Sequence, residues 1–227
     1  MEDARGGRRV NPGNARRDAN PNGHCCVFFI TPVPCQGAGR TFCLNFAVTR
    51  IDSFVVRGVP VSVANSRPDI ATADVLARLD EALALIEQYQ PWRLRHLRRD
   101  LDEIRIVRFP CRGAWLPEEG ACVTELTFLN RRDISAAPVA SSIIHEGMHA
   151  RVDRMGVNRY ARDRAREERL CRRAELEFGQ SLPPELGAPV VERALESLTL
   201  ADEEVAPAID WSEALRRQNE IDRRARE

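Results

Sequence analysis

Two histidines four residues apart, with a glutamate directly after the first, stand in the stretch SSIIHEGMHARV at residues 141–152. On an α-helix, positions i and i+4 share a face and lie about 6 Å apart along the axis. His145 and His149 can therefore each turn one imidazole nitrogen toward a single cation. Glu146 projects beside them, where it reaches a water on that cation without ligating it. A zinc ion held this way polarises the water, the glutamate takes its proton, and the resulting nucleophile attacks a carbonyl. The residues before the pair, Val139, Ala140, Ser142, Ile143 and Ile144, are small or apolar, which suits a helix packed in a core. Imidazoles and a carboxylate on such a helix need polar partners, and a metal would supply them.

A catalytic zinc takes three protein ligands and leaves a fourth position for water. The third is sought in the next segment, ARDRAREERLCRRAELEFG, which reads as a second helix. A short turn at 155–158 and an antiparallel course would return Glu168 to the side of the histidines, with 18 residues between it and His149. Glu167 and Glu175 flank it and stay open as alternative ligands.

This pattern, HEGMH and then Glu168, resembles the gluzincin metallopeptidases, the thermolysin-like and zinc aminopeptidase groups. The spacing is that of the aminopeptidase group. The likeness extends over residues 122–180 and is shared with small uncharacterised bacterial metallopeptidases. It implies a zincin-like fold, a Zn²⁺ cofactor on His145, His149 and Glu168, Glu146 as general base, and a peptide or protein substrate. It also implies a strand edge beside the active helix that holds the extended substrate, and CVTELTFLN is in the right place for that β-addition. The chain departs from the pattern at three positions. Arg151 stands two after the second histidine, where an apolar residue is usual. Gly147 inside the helix costs about 1 kcal/mol against alanine unless it serves a close approach. Arg172 occupies the place of the aspartate that orients a histidine in thermolysin-like enzymes, so Glu175 or Asp153 must supply that carboxylate. No exopeptidase motif accompanies the spacing.

Hydrolysis also needs a donor for the developing oxyanion. Tyr160, near the turn between the two helices, is the candidate; a tyrosine packing a helix corner is the ordinary reading of the same residue. His96 in WRLRHLRRDL is read as a surface histidine. Cys171, three after Glu168, is a possible thiolate ligand or a small buried apolar residue. The arginines at 162, 164, 166, 169, 172 and 173 alternate with acids as on a solvated, ion-paired face. His24, Cys25, Cys26 and Cys35 are read as an accidental grouping.

The elements that must position these residues follow from periodicity. TFCLNFAVT and FVVRGVPVSV read as strands, with Arg57-Gly58 turning the second into a hairpin. From Thr72, Val75, Leu76, Leu79, Leu83 and Ile86 form one helical stripe that Pro91 ends, and a shorter helix covers about 92–101. Strands are expected at 104–109 and 122–129, joined by a loop containing Pro110, Gly113, Pro117 and Gly120. The histidine helix should run over about 136–155, with Ser135 as N-cap and Gly156 after its end. The second helix should run from 159 to 178, capped by Asn158 and ended by Gly179, with further helices near 185–199 and 212–226. The fold class is α+β: a small, mainly antiparallel sheet from residues 41–129 against the histidine helix and its partner. Residues 1–40 read as a disordered extension, 41–200 as the domain and 201–227 as a charged helical tail.

The chain of 227 residues balances 34 basic against 34 acidic residues, and every basic one is arginine. That balance speaks against a nucleic-acid binder. Seven irregularly spaced cysteines make a poor disulfide framework, and CCVFFI is too short to span a bilayer. The expectation is a cytoplasmic protein with free thiols, no membrane segment and no nucleic-acid partner. Two other readings fit the same residues: a zinc-binding regulatory module without catalysis, and a metal-free helical interaction domain in which HEGMH is core.

Overall fold

The computed structural model describes residues 50–156, 163–206 and 210–224. They form an α+β fold with one five-stranded mixed sheet and eight helices. The strands are β1 (Ile51–Val56), β2 (Val59–Ala64), β3 (Glu103–Val107), β4 (Gly113–Leu116) and β5 (Ala121–Glu125), in the order β1-β2-β3-β5-β4. β1 with β2, and β4 with β5, are antiparallel; β2 with β3, and β3 with β5, are parallel. The sheet is thus mixed and not mainly antiparallel. The parallel pairs follow from connections long enough to cross back over the sheet, as parallel strands require.

The β1–β2 hairpin closes through Arg57 and Gly58, both at positive φ (45° and 73°), as a two-residue hairpin turn demands. Helices α1 (Thr72–Tyr89) and α2 (Pro91–Asp100) bridge β2 and β3. Pro91 opens α2, where its missing N–H does no harm. Val61 lies opposite Ile104 and Val63 opposite Ile106 in the β2–β3 pair. These side chains share one core with Leu79, Leu83 and Ile86 of α1.

Two sequence expectations give way in this region. Residues 113–116 form β4 instead of loop, and β4 is the terminal strand of the sheet. CVTELTFL is strand only to Glu125; α3 (Leu126–Leu129) follows, because the Glu125 side chain accepts from the Phe128 N–H at 2.7 Å and turns the chain. β5 therefore lies between β3 and β4 and offers no free edge. The β-addition surface expected on CVTELTFLN does not exist there.

The histidine helix α4 (Ala137–Arg154) is the hub of the helical layer, packing on α1, α2, β4 and β5. Ala136 is its N-cap, and Ser135 Oγ accepts from Ala137 N at 3.3 Å; Gly156, at φ 74°, lies just past its end. Gly147 has its reason here: a Cβ would fall 2.4 Å from Leu97 Cδ2, so the missing side chain lets α2 approach α4. Arg151 is accommodated by Asp100 on α2 at 3.6 Å. Helix α5 (Arg164–Ser181) is capped by the Asp163 side chain, which accepts from Arg166 N at 3.0 Å. The expected cap Asn158 and helix start at 159 lie outside the described residues, as do Tyr160, the TFCLNFAVT strand and the first forty residues. Gly179 does not end α5. It lies inside the helix, where its carbonyl would sit 2.2 Å from a Cβ on Gly187 of α6 (Pro184–Leu198).

The chain ends in α7 (Asp202–Val205) and α8 (Trp211–Arg224). α8 is tied to the rest by Asp222, which accepts from Arg108 at 2.8 Å and from Arg67 at 3.3 Å. Among the described residues no helix is long and apolar enough to cross a membrane.

The α5–α6 seam depends on backbone-to-backbone approach. Gly187→Ala must push a methyl into the Gly179 carbonyl, which cannot rotate away. The expected cost is about 1–3 kcal/mol, as for overpacked cores, read as a lower urea midpoint with an unchanged slope.

Candidate metal centre

α4 and α5 lie against each other and turn two rows of polar side chains into their own interface. From α4 come Ser141, His145, Glu146 and His149; from α5 come Glu167, Glu168, Cys171 and Glu175. The α5 row follows helical spacing, with Glu168, Cys171 and Glu175 at i, i+3 and i+7 on one face.

The two Nε2 atoms of His145 and His149 are 3.3 Å apart. Glu168 closes a triangle with them: one carboxylate oxygen is 3.2 Å from His145 Nε2, the other 3.5 Å from His149 Nε2. The outward nitrogens are held separately. His145 Nδ1 meets Glu175 Oε1 at 2.6 Å, and His149 Nδ1 meets Glu167 Oε1 at 2.8 Å. Each imidazole thus has a carboxylate acceptor on Nδ1 and directs Nε2 to a shared point, the arrangement that fixes the metal-binding tautomer. Glu175 is braced in turn by Ser141 Oγ at 2.8 Å and by Arg172 at 2.6 Å. So the flanking acids Glu167 and Glu175, open as ligands in the sequence, are the groups that orient the histidines. Asp153, the other candidate for that role, accepts from Trp115 Nε1 on β4.

Cys171 is the donor that sequence reasoning set aside. His145, His149 and Cys171 each offer a ligand atom within 4.8 Å of the others, and this cluster can hold a metal ion. Glu168 lies tighter. A tetrahedral ion bonded to nitrogen at about 2.0–2.1 Å spaces its ligands about 3.3–3.4 Å apart, which the 3.3 Å between the two Nε2 atoms matches, and Glu168 reaches each imidazole with a different oxygen.

The electrostatics point the same way. Burial works against charge on His145, but its bonds to Glu168 and Glu175 and the field of Glu146 outweigh that, raising its pKa to about 10. Burial pushes the Glu146 carboxyl up, with the two imidazoles opposing. Glu168 and Glu175 are desolvated too, yet His145 holds both below the usual carboxylate range. Burial, then the surrounding carboxylates, drives the Cys171 thiol well up. The site carries four carboxylates around two imidazoles, and its demand is for positive charge.

The group opens into a cavity of about 630 Å³. Its far wall is β4: a Cβ on Gly113 would lie 3.0 Å from Ser142 Oγ and 3.1 Å from Glu146 Oε1, so strand and helix meet at a bare backbone. His96 is not part of this site; burial and the neighbouring Arg151 and Arg99 lower its pKa. Cys111, Cys122 and Cys171 are free thiols.

Without a cation the centre depends on a proton. A folded pKa near 10 against about 6.5 unfolded means that this stabilisation is complete below pH 6.5 and is lost as pH rises toward 10. Chelator-treated protein should therefore lose melting temperature progressively across that window. His145→Gln should flatten this part of the curve, and an equal slope in the variant would contradict the assignment. Compared with family models, curated proteins and solved structures, the chain matches none.

Proposed function

We propose that the chain is a zinc-dependent hydrolase of the gluzincin type, a small metallopeptidase. The observation that carries this reading is the triangle of His145 Nε2, His149 Nε2 and Glu168, with edges of 3.2 to 3.5 Å, beside the buried Glu146. Zn²⁺ is the ion that nitrogen and carboxylate donors at tetrahedral spacing favour, and when bound it would polarise a water and a substrate carbonyl. Glu175 and Glu167 keep the Nδ1 protons in place. Glu146 is the general base that takes a proton from the water and returns it to the leaving amine. Its burial raises its pKa above the ordinary carboxylate range, which strengthens it as a proton acceptor. The outer edge of β4, the terminal strand, runs past Glu146 at Gly113 and takes over the substrate-pairing role expected of CVTELTFLN.

Cys171 supports a second reading, in which a thiolate joins the histidines and closes the ion off as a structural zinc. The two readings part on substitution. Purified without a histidine tag, the protein should carry one zinc per chain by elemental analysis. Glu168→Ala should lose it, Cys171→Ala should keep it, and Glu175→Gln should weaken it about 10- to 100-fold. Glu146→Gln should keep zinc and lose hydrolysis of a quenched peptide library. Zinc that survives Glu168→Ala but not Cys171→Ala would favour the structural site, and absence of zinc from the parent would defeat both.

A further inference from the structure

Four arginines line the cavity that holds the histidines, and three of them converge from different elements: Arg112 just before β4, Arg172 on α5, which also braces Glu175, and Arg193 on α6. Among the described residues most arginines are paired, and the unpaired Arg95, Arg166 and Arg173 lie outside the cavity. Arg57, Arg67, Arg105 and Arg108 each meet two carboxylates, and even the exposed arginines of α8 pair with Glu213 and Glu220. Among the described residues Arg112 and Arg193 have no ion-pair partner. Arg112 has only the ring of Phe128 beneath its guanidinium, at 5.3 Å. Arg172 gives one terminal nitrogen to Glu175, but its Nε is buried and makes no hydrogen bond.

Arg112 and Arg172 both lie close enough to Arg193 to repel it. The Arg193 guanidinium is held below its ordinary pKa by desolvation, then by repulsion from Arg112 and, past the opposing Glu175, from Arg172. Partly desolvated guanidiniums gathered in one cavity carry a cost that Glu175 offsets only in part; an anion entering beside them lowers their repulsion and satisfies the open donors. The guanidinium fork matches a carboxylate through two parallel N–H bonds.

Building on the peptidase reading above, we infer that Arg112, Arg172 and Arg193 form an anion subsite that binds a carboxylate of the peptide substrate within the metal cavity. The carboxylate is supplied either by the free C-terminus, which makes the enzyme a carboxypeptidase in its preference, or by an acidic side chain. Arg193 is the principal contact, since it reaches the cavity from a helix that supplies no metal ligand. Arg172 links the subsite to the metal centre, because the residue with a free Nε also braces Glu175 and through it His145.

The test uses the full chain loaded with zinc and three probes that anchor on the metal by a thiol: mercaptoacetyl-Ala-Phe as free acid, the same compound as its C-terminal amide, and mercaptoacetyl-Glu-Phe amide. Calorimetric titration should give the free acid or the glutamate-bearing amide an affinity about 10- to 100-fold above that of the uncharged amide, as charge-assisted hydrogen bonds imply. Which of the two is favoured identifies the source of the carboxylate. Arg193→Gln should erase the preference while zinc content and binding of the uncharged amide stay as in the parent; Arg193→Lys should restore part of it. Equal affinity of all three probes for the parent overturns the subsite and leaves the metal reading standing. If no probe binds and no zinc is retained, the metal reading itself fails.

Discussion

The structure depends on a concentration of negative charge inside a helix pair. Glu146 on one helix and Glu167, Glu168 and Glu175 on the other face two imidazoles in a partly dry interface. Such a grouping is unfavourable unless something positive sits at its centre. A proton on His145 meets part of that need, and a divalent ion meets more of it. The same charge that disfavours an empty interface would favour a cation there, so the helix pairing and the capacity to hold an ion have one cause.

Supporting this concentration requires tight spacing, which glycines supply. Gly147 admits Leu97 and lets α2 press on the back of α4, while Gly179 and Gly187 bring α5 and α6 into backbone contact. With α4 and α5 gripped from behind, the imidazole and carboxylate rows cannot drift apart by the fraction of an ångström that would spoil coordination. Asp222 extends the scheme to the C-terminal helix: a single buried carboxylate receives Arg67, which follows β2, and Arg108, which follows β3, and ties a highly charged segment to them.

Much of the centre was legible in the residues because helical periodicity is local. His145, Glu146 and His149 follow from one turn of helix, and Glu168 follows from a second helix returning antiparallel. Glu175 was named with Asp153 as a carboxylate to orient a histidine, and it does so for His145; the same role of Glu167 was not legible, since an acid beside an ion and an acid beside an imidazole look alike in a sequence. Cys171 was weighed as a core residue for a similar reason, and it is indeed buried. Non-local order was the harder part. Gly113–Leu116 is too short and too closely flanked by Pro110 and Pro117 to announce a strand, and without it β5 passes for an edge. The sheet is mixed because its crossovers decide strand direction, which periodicity does not encode. Gly179 read as a stop because glycine ends helices as readily as it admits a neighbour. Arg112, Arg172 and Arg193 come from three separate elements, so only the fold brings them to one cavity.

The bare backbone at Gly113 has a consequence for how this centre would decay or be redesigned. Its nearest neighbours are Ser142 and the carboxylate of Glu146, and neither imidazole is among them. Any bulk gained on that strand displaces Glu146 before it disturbs the two imidazoles. The glutamate and the imidazole pair therefore have separate structural tolerances, and a descendant that thickened this one position would keep its two histidines converged long after Glu146 had been moved aside.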